Sequence, residues 1–368
     1  MKIKNNYNET LTNVGASIQN YFKILPKHNT LSILDNYLAK YHPKNIVLIL
    51  LDGLGTNILN RSLPKNAFLR KNLKTSLTTV FPATTAAATT SIRTGLNPVE
   101  HGYLGWTMYI KPIDKVITLF LNTEKGNDRT ICQNFLSIKK QLLSPIFISE
   151  QINQSNANQA TELFPFGQDA YVGFDELINR IKIKAQEESP QYIYAYDEEP
   201  DATMHVEGPD SEQSKRLIEE RNRKIENLTH DLHDTLLLIT ADHGHIKTYT
   251  IYLDDYPEIT SLLERKTSID QRAAVFKVKP GKKQAFQQLF ETNFGQYYDL
   301  YTADEIIHSK LFGDGPENPL YRSALGDFLA IATSDVTITA NGDHYHFSHH
   351  AGYTDDEIQI PLIIKYCK

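Results

Sequence analysis

Three short apolar runs, each of which reaches an aspartate at its end, are the first regular feature of the chain. They are NIVLILLDG (45–53), QYIYAYDEEPD (191–201) and TLLLITADHG (235–244). Apolar runs of this length, without alternation with polar residues, are typical of parallel strands that are covered on both faces. The pattern therefore predicts three buried, parallel strands.

Helical patterns fill the stretches between these runs. Residues 210–229 begin with two capping residues and continue with apolar residues on one helical face. Residues 11–24 and 30–41 predict two more helices before the first strand. Strands that alternate with helices indicate βαβ units. We therefore expect an α/β fold, with a doubly wound, mostly parallel sheet flanked by helices.

The pattern changes between residues 247 and 340. There, AAVFKVKPGKKQAFQQLFETNFG is typical of a strand, a turn and a helix, and DFLAIATSDVTIT is typical of another strand. We predict that 247–340 form an inserted α+β subdomain that acts as a lid over the ligand pocket. Residues 1–246 and 341–368 would then form the core, with residues 1–42 supplying N-terminal helices.

The composition indicates which kinds of binding partner and which cellular compartment to expect. The chain has 368 residues, of which 40% are hydrophobic and 22% charged, and a formal net charge of −6. Without a Lys/Arg-rich stripe, a nucleic-acid polymer is not expected as the main partner. The two cysteines, Cys132 and Cys367, are far apart and suit a reducing compartment. Neither a signal peptide nor a membrane-spanning run is evident, so we expect a cytoplasmic protein without membrane insertion.

Acidic residues and histidines occur at the predicted strand ends and in the adjoining loops. They are Asp52, Asp201, His205, Asp242, His243 and the histidines of HYHFSHHAG (344–352). Each motif alone has a plainer interpretation: Asp-Gly is a common turn, an Asp and a His four apart arise by chance, and a histidine loop can be solvated. Together they suffice for two metal sites with mixed Asp/His ligands, at the sheet edge where ligands bind. Paired metals about 4 Å apart are suited to displacement at phosphorus.

The segment FPATTAAATTSIRTG (81–95) places adjacent threonines at the start of an alanine-rich helix. Pro82 precedes this predicted helix, and Gly95 is the expected residue after its end. The unpaired N–H groups of a helix N-terminus favour an anion, and a hydroxyl beside metal ions can become a nucleophile. The alternative is a simple helix cap. Spacing does not decide between Thr84 and Thr85.

Five motifs in a fixed order carry a family resemblance. They are VLILLDG, VFPATTAAATTSIRTGLNPVEHGYLGW, EEPDATMHVEGP, ITADHG and HHAGYTDDEIQIPLI. With them the chain resembles the alkaline phosphatase superfamily, and most closely the bacterial type I phosphodiesterase/nucleotide pyrophosphatase group. In that group the nucleophile lies four residues after the Phe of the F-P motif, here Phe81. The resemblance therefore favours Thr85.

The resemblance also implies two ligand sets for two divalent metal ions. One ion would be held by Asp201, His205 and His350, and the other by Asp52, Asp242 and His243, with Thr85 beside it. The expected ion is zinc, and the mixed donors are also compatible with manganese.

We therefore predict a two-metal hydrolase that cleaves a phosphodiester or phosphoanhydride bond of a small molecule through a phospho-threonine intermediate at Thr85. Nucleotide pyrophosphatases of the group that the chain resembles usually have, three residues after the nucleophile, an Asn that hydrogen-bonds a phosphoryl oxygen. This chain has Ala88 there, so another group must serve or the substrate differs. The alternative is therefore a phosphomonoesterase that uses the same site. A non-catalytic, metal-stabilised binding protein is less favoured, because every motif position is filled. The oligomeric state is left open.

Three further residues near these motifs are assigned no part in the site. Arg93, in the last turn of its helix, is expected to interact with the helix dipole and solvent. Trp106, the only tryptophan, is expected in the core or an interface. His245 is expected beside the metal ligands or exposed to solvent.

Overall fold

Three parallel strands, Asn45–Leu51, Gln191–Asp197 and Thr235–Thr240, lie side by side at the centre of one sheet. Every residue in them is buried. Because both faces of these strands are covered, their central residues are mainly apolar and do not alternate with polar ones. The strands predicted from the three apolar runs are confirmed.

The computed structural model describes residues 6–154, 158–340 and 343–368. In chain order the strands are β1 (Asn45–Leu51), β2 (Leu73–Thr78), β3 (Thr107–Ile110), β4 (Lys115–Thr118), β5 (Thr123–Glu124), β6 (Asn127–Ile131), β7 (Gln159–Leu163), β8 (Gln191–Asp197), β9 (Thr235–Thr240), β10 (Ile246–Lys247), β11 (Tyr249–Tyr252), β12 (Ser268–Ile269), β13 (Ala273–Phe276), β14 (Tyr298–Thr302), β15 (Phe328–Ala332), β16 (Val336–Thr339), β17 (Ser348–His349) and β18 (Gln359–Cys367).

The helices are interspersed with these strands. They are α1 (Leu11–Tyr21), α2 (Ser32–Tyr41), α3 (Thr56–Ser62), α4 (Phe68–Asn72), α5 (Thr85–Thr94), α6 (Pro98–His101), α7 (Gln133–Leu142), α8 (Ile148–Asn153), α9 (Gly173–Ala185), α10 (Asp201–Glu207), α11 (Glu212–Leu228), α12 (Pro257–Thr260), α13 (Lys283–Phe294), α14 (Ala303–Ser309), α15 (Tyr321–Ala324) and α16 (Asp355–Ile358). Short 3₁₀ turns occur at Lys111–Ile113 and Leu253–Asp255. The helices predicted over 11–24, 30–41 and 210–229 correspond to α1, α2 and α11.

The central sheet has six strands in the order β2-β18-β9-β1-β8-β7. β7, β8, β1 and β9 run parallel, whereas β18 is antiparallel to both β9 and β2. Helices pack against this sheet, with α8 on β7, α9 on β8, and α3 and α4 on β18. The fold is thus α/β, with a mostly parallel sheet flanked by helices. Each fully buried Leu or Ile in this core contributes about 1.5–3 kcal/mol.

A second sheet has eight strands in the order β14-β15-β13-β12-β3-β4-β5-β6 and is antiparallel. Its strands come from residues 268–332 and also from residues 107–131, joined where Ile269 of β12 pairs with Thr107 of β3. The inserted subdomain over 247–340 stays a prediction, and the strand pairing adds that 107–131 share its sheet. Strand propensity alone could not reveal that residues 107–131 pair with this sheet, because strand pairing joins segments that are distant in sequence.

The described helices include none that is long and apolar enough to cross a bilayer. Cys132 and Cys367 are both free thiols.

Candidate active site and metal centre

Three aspartates follow adjacent strands and meet at one edge of the central sheet. Asp52 directly follows β1, Asp201 begins α10 after β8, and Asp242 lies two residues after β9. The backbone N–H of Gly53 donates to Asp242 Oδ1 at 3.0 Å. Gly53 has a φ of +74°, and a Cβ there would come within 2.9 Å of Met204 and 3.0 Å of Asp201. The Asp-Gly sequence therefore permits this close approach of two strand ends.

A first group of candidate ligands forms around α10. Asp201 and His205 lie one helical turn apart, with 3.4 Å between Asp201 Oδ2 and His205 Nε2. His350, just after β17, and His245, between β9 and β10, complete a group whose ligand atoms all lie within 4.8 Å of one another. The structure thus brings together the three residues of the first predicted ligand set and adds His245.

His245 lies beside the ligands, which is one of its two expected positions, and not on the exposed surface. It is fully buried, and its Nε2 lies 2.6 Å from Asp201 Oδ1. Ser348 Oγ donates to the Met204 carbonyl and is therefore free to accept from His245 Nδ1 at 2.8 Å. Nε2 then faces Asp201 Oδ1, and a contact this short requires a proton on Nε2 or a bound cation between the two atoms. The sequence signal was its place in ITADHGH, two residues beyond His243.

The other candidate histidines present Nε2 in the same way. Their Nδ1–H groups donate to backbone carbonyls, from His205 to Ser348 at 2.8 Å, from His243 to Gly244 at 3.0 Å and from His350 to Ala83 at 3.0 Å. A hydrogen bond of this kind fixes the neutral tautomer that binds metal ions through Nε2.

A second group lies at the ends of β1 and β9 and contains Asp52, Asp242 and His243. His243 Nε2 lies 3.3 Å from Asp52 Oδ1 and 3.4 Å from Asp242 Oδ2. The hydroxyl of Thr85 lies 3.3 Å from Asp52 Oδ2 and 3.3 Å from His243 Nε2. The Tyr196 hydroxyl also donates to Asp52 Oδ2. The second predicted ligand set therefore converges, with Thr85 beside it.

Unsatisfied buried oxygens make the second group suitable for a cation. Asp52 Oδ1 and Asp242 Oδ2 are buried without a hydrogen-bond partner. Burial, followed by the charges of Asp242 and Asp201, raises the pKa of Asp52 well above its usual value. Uncompensated buried carboxylates are costly, and a bound cation removes that cost. The donor set of carboxylate and imidazole fits zinc or manganese.

The two adjacent threonines of the opening motif have different environments. Thr84 is the N-cap of α5, fully buried, and its hydroxyl donates to Asp270 Oδ2 at 3.3 Å. Thr85 is the first residue of α5 and lines a cavity above the metal-ligand groups. Gly95 ends the helix in the left-handed conformation, as predicted. The geometry therefore places the Thr85 hydroxyl, not that of Thr84, at the second group.

The cavity above these groups has a volume of about 390 Å³. On one side the cavity is lined by Asp201, His205 and His350. On the other it is lined by residues of the second sheet, from both 107–131 and 268–332. Ala88 does not line this cavity; it is fully buried among the apolar residues that pack on the central sheet. α5 therefore turns position 88 toward the central sheet and away from the cavity.

Two expectations about single residues change. Trp106 lines the cavity and is only partly buried, so it is accessible to a ligand. Arg93 does not face solvent: its guanidinium pairs with Glu162, lies 4.0 Å from the Phe147 ring centroid and 4.9 Å from that of Phe164. The sequence missed both because each role depends on contacts with distant segments.

Comparison with known proteins shows which family model the chain matches and which solved structures share its fold. The family model for type I phosphodiesterase/nucleotide pyrophosphatase matches residues 46–354. No curated protein is a significant sequence match to the chain.

Solved structures of two kinds of protein superpose on most of the chain. Murine ectonucleotide pyrophosphatase/phosphodiesterase 5 is 20% identical, with a TM-score of 0.62 over 86% of this chain and 87% of its own. The human protein of that name is 18% identical, with a TM-score of 0.62 over 87% of each chain. Phosphonoacetate hydrolase from Sinorhizobium meliloti 1021, in complex with phosphonoformate, is 14% identical, with a TM-score of 0.63 over 88% and 90%. At these identities the likeness shows a shared fold.

Proposed function

The chain belongs to the type I phosphodiesterase/nucleotide pyrophosphatase family, and we propose that it is a two-metal hydrolase that cleaves a phosphodiester or phosphoanhydride bond of a small molecule. Thr85 would be the nucleophile. The observation that carries this proposal is the position of the Thr85 hydroxyl, 3.3 Å from both Asp52 and His243. A hydroxyl beside a metal site at a helix N-terminus is suited to attack on phosphorus.

Two divalent ions are part of the proposal. Asp201, His205 and His350 would hold one, with His245 as an additional donor, and Asp52, Asp242 and His243 would hold the other. Zinc is the ion we propose, with manganese as the alternative. When bound, such ions lower the pKa of a hydroxyl and stabilise the attacking and leaving oxygens of an in-line displacement.

The residues of the chain supply the covalent steps. The Thr85 oxygen forms a bond to phosphorus as the bond to the leaving ester oxygen breaks, and the leaving oxygen takes up a proton. Water then forms a bond to phosphorus and expels the Thr85 oxygen, which regains its proton. Throughout, the first N–H groups of α5 are directed at the oxygens on phosphorus, because these groups have no partner within the helix.

A small phosphoester substrate is supported by the size of the cavity and by one relative. An inactive variant of the murine ectonucleotide pyrophosphatase/phosphodiesterase 5 was solved in complex with AMP. The 247–340 subdomain would shape the substrate pocket, since Ile269, Asp270 and Gln271 line the cavity. The monoesterase alternative is an outcome of the test.

The test uses protein stripped of metal and then reloaded with zinc or manganese. We expect about two ions per chain and release of p-nitrophenol from bis(p-nitrophenyl) phosphate that depends on the added ion. Faster release from p-nitrophenyl phosphate would favour a monoesterase. Binding of two ions without release from either compound would indicate a metal-stabilised binding protein and reject the proposal.

A further inference from the structure

We propose that the cavity selects phosphoesters whose substituent carries a cationic amine, which binds between the carboxylate of Asp270 and the ring of Trp106. This inference rests on the proposed function, because it concerns the substrate of the same site.

Strand pairing brings these two residues together. Thr107 of β3 pairs with Ile269 of β12 in an antiparallel register. Trp106 and Asp270 are the next residues along these two strands at the same end of the pair, so they occupy neighbouring positions. Both line the cavity that Thr85 also lines. The second sheet therefore presents a carboxylate and an indole toward the same space above the nucleophile.

Asp270 has hydrogen-bond donors but no cation partner. Its Oδ1 accepts from the Gln271 backbone N–H at 2.8 Å, and its Oδ2 accepts from the Thr84 hydroxyl at 3.3 Å. Within the described residues no Lys, Arg or His nitrogen forms an ion pair with it. Desolvation raises the pKa of Asp270 to about 7. A ligand ammonium would supply the missing countercharge and would favour the ionised carboxylate.

Among the described residues that line the cavity there is one lysine, Lys125, and it is already engaged. Lys125 Nζ pairs with Asp343 Oδ1 at 2.5 Å and donates to the carbonyl and the hydroxyl of Thr267, each at 3.1 Å. An ammonium has three N–H donors, so all three are used. Lys125 is therefore engaged with Asp343 and forms no ion pair with Asp270.

Trp106 supplies a rigid aromatic surface beside this charge. Its ring stacks on that of Phe120, with centroids 5.7 Å apart and an angle of 20° between planes. Phe120 in turn contacts Phe166 edge to face at 5.0 Å. A cation near an aromatic face is attracted by the ring quadrupole, most strongly for tryptophan.

Charge balance favours an amine over an anionic substituent. The three carboxylates of the two ligand sets offset most of the charge of two divalent ions, and a phosphodiester anion offsets the remainder. Asp270 lies outside both sets, and a ligand ammonium beside it would favour its ionised form. A substituent with a second anionic group would be repelled there, whereas an ammonium would be attracted.

The experiment compares two p-nitrophenyl phosphodiesters of matched size, one with a 2-aminoethyl and one with a propyl substituent. With metal-loaded enzyme we expect kcat/KM to favour the aminoethyl ester by about tenfold or more. In Asp270→Asn, which keeps the shape but removes the charge, the ratio should fall toward one. Trp106→Leu should lower the ratio less than Asp270→Asn does. Melting temperatures establish that each variant is folded.

Asp335→Asn is the matched control, because Asp335 is an exposed carboxylate between β15 and β16 outside the cavity lining. Its ratio should equal that of the wild type. Hydrolysis of both esters at equal rates would overturn this inference and leave the proposed function intact. The same holds if a 2-hydroxyethyl ester is preferred as strongly as the aminoethyl ester. If neither ester is hydrolysed although bis(p-nitrophenyl) phosphate is, this inference fails and the proposed function stands; if none of the three is hydrolysed by the metal-loaded wild type, both fail.

Discussion

The hydroxyl of Thr85 lies 3.3 Å from Oδ2 of Asp52, although 33 positions separate the two residues. Asp52 is held by the end of β1 and Thr85 by the first turn of α5. Each residue is fixed by its own element, so the contact does not depend on a flexible loop. Activity that depends on both residues should therefore respond sharply to small changes in either side chain.

Replacing Thr85 by Ala should abolish turnover while the metal content stays near that of the wild type. The hydroxyl forms the proposed covalent bond, so we expect a loss of about 10³-fold or more in kcat. Thr85→Ser should retain part of the activity. Rates with bis(p-nitrophenyl) phosphate and elemental analysis of the purified variants measure the two effects.

Thr84→Ala is the control for this prediction. Its hydroxyl faces Asp270 and not Asp52, so kcat for bis(p-nitrophenyl) phosphate should fall far less than in Thr85→Ala. Equal losses in the two variants would contradict the assignment of Thr85.

The raised pKa of Asp52 predicts how the free energy of unfolding of the metal-free protein depends on pH. The pKa of Asp52 is raised in the folded state, chiefly by burial, so folding favours its protonated form. The free energy of unfolding then decreases as pH rises above the usual carboxyl pKa toward the raised value. Metal-free Asp52→Asn lacks this ionisation and should be more stable than the metal-free wild type at pH 8, by at least about 1 kcal/mol.

That difference should shrink as pH falls, because the wild-type carboxyl then takes up its proton. Urea unfolding of both proteins at several pH values, in the presence of a chelator, measures it. Metal should raise the melting temperature of the wild type more than that of Asp52→Asn. A difference that is independent of pH would show that the carboxyl is not the cause.

His245→Asn should weaken one of the two metal sites and leave the other unchanged. His245 Nε2 lies 2.6 Å from Asp201, which belongs to the first ligand set. Loss of a ligand, or of the group that orients one, typically lowers affinity by about 10- to 100-fold. Calorimetric titration of metal-stripped protein should resolve one weakened and one normal binding event.

His308→Asn serves as the control for this titration, because His308 is exposed on α14 outside both ligand groups. It should bind both ions as the wild type does. Equal weakening of both sites in His245→Asn would instead indicate a general loss of structure around the sheet edge.

A buried ion pair joins the second sheet to the segment that follows His350. The Arg272 guanidinium donates to Glu357 Oε1 at 2.6 Å and Oε2 at 2.7 Å, and both side chains are fully buried. Glu357 also accepts from the Gly352 backbone N–H at 2.8 Å. Arg272→Met should lower the free energy of unfolding by about 3–5 kcal/mol, because it leaves a buried charge unpaired.

The double variant Arg272→Met/Glu357→Gln should recover part of that loss, since it removes the second charge as well. Urea denaturation of the single and double variants measures the difference. No recovery in the double variant would assign the loss to packing instead of charge.

The sequence located the core strands and most of the candidate ligands for one shared reason. In a parallel sheet a buried strand must be apolar, and its carboxyl end is where polar groups reach a ligand. Asp52, Asp201 and Asp242 could therefore be recognised from the apolar runs that precede them. The helix start at Thr85 and its end at Gly95 could be read in the same way, because caps depend on local backbone geometry.

Contacts between distant segments could not be read from the sequence. The burial of His245 against Asp201, the inward-facing Ala88 and the place of Trp106 in the cavity all depend on how separate elements pack.

The sequence by itself thus determined the α/β fold, the strand ends and the chemical types gathered there, because apolar periodicity and capping are local properties of the chain. Only the tertiary structure decided which threonine faces Asp52, that residues 107–131 pair with 268–332, and that Asp270 stands beside Trp106. Those relations are set by strand pairing and helix orientation, which join residues far apart in sequence.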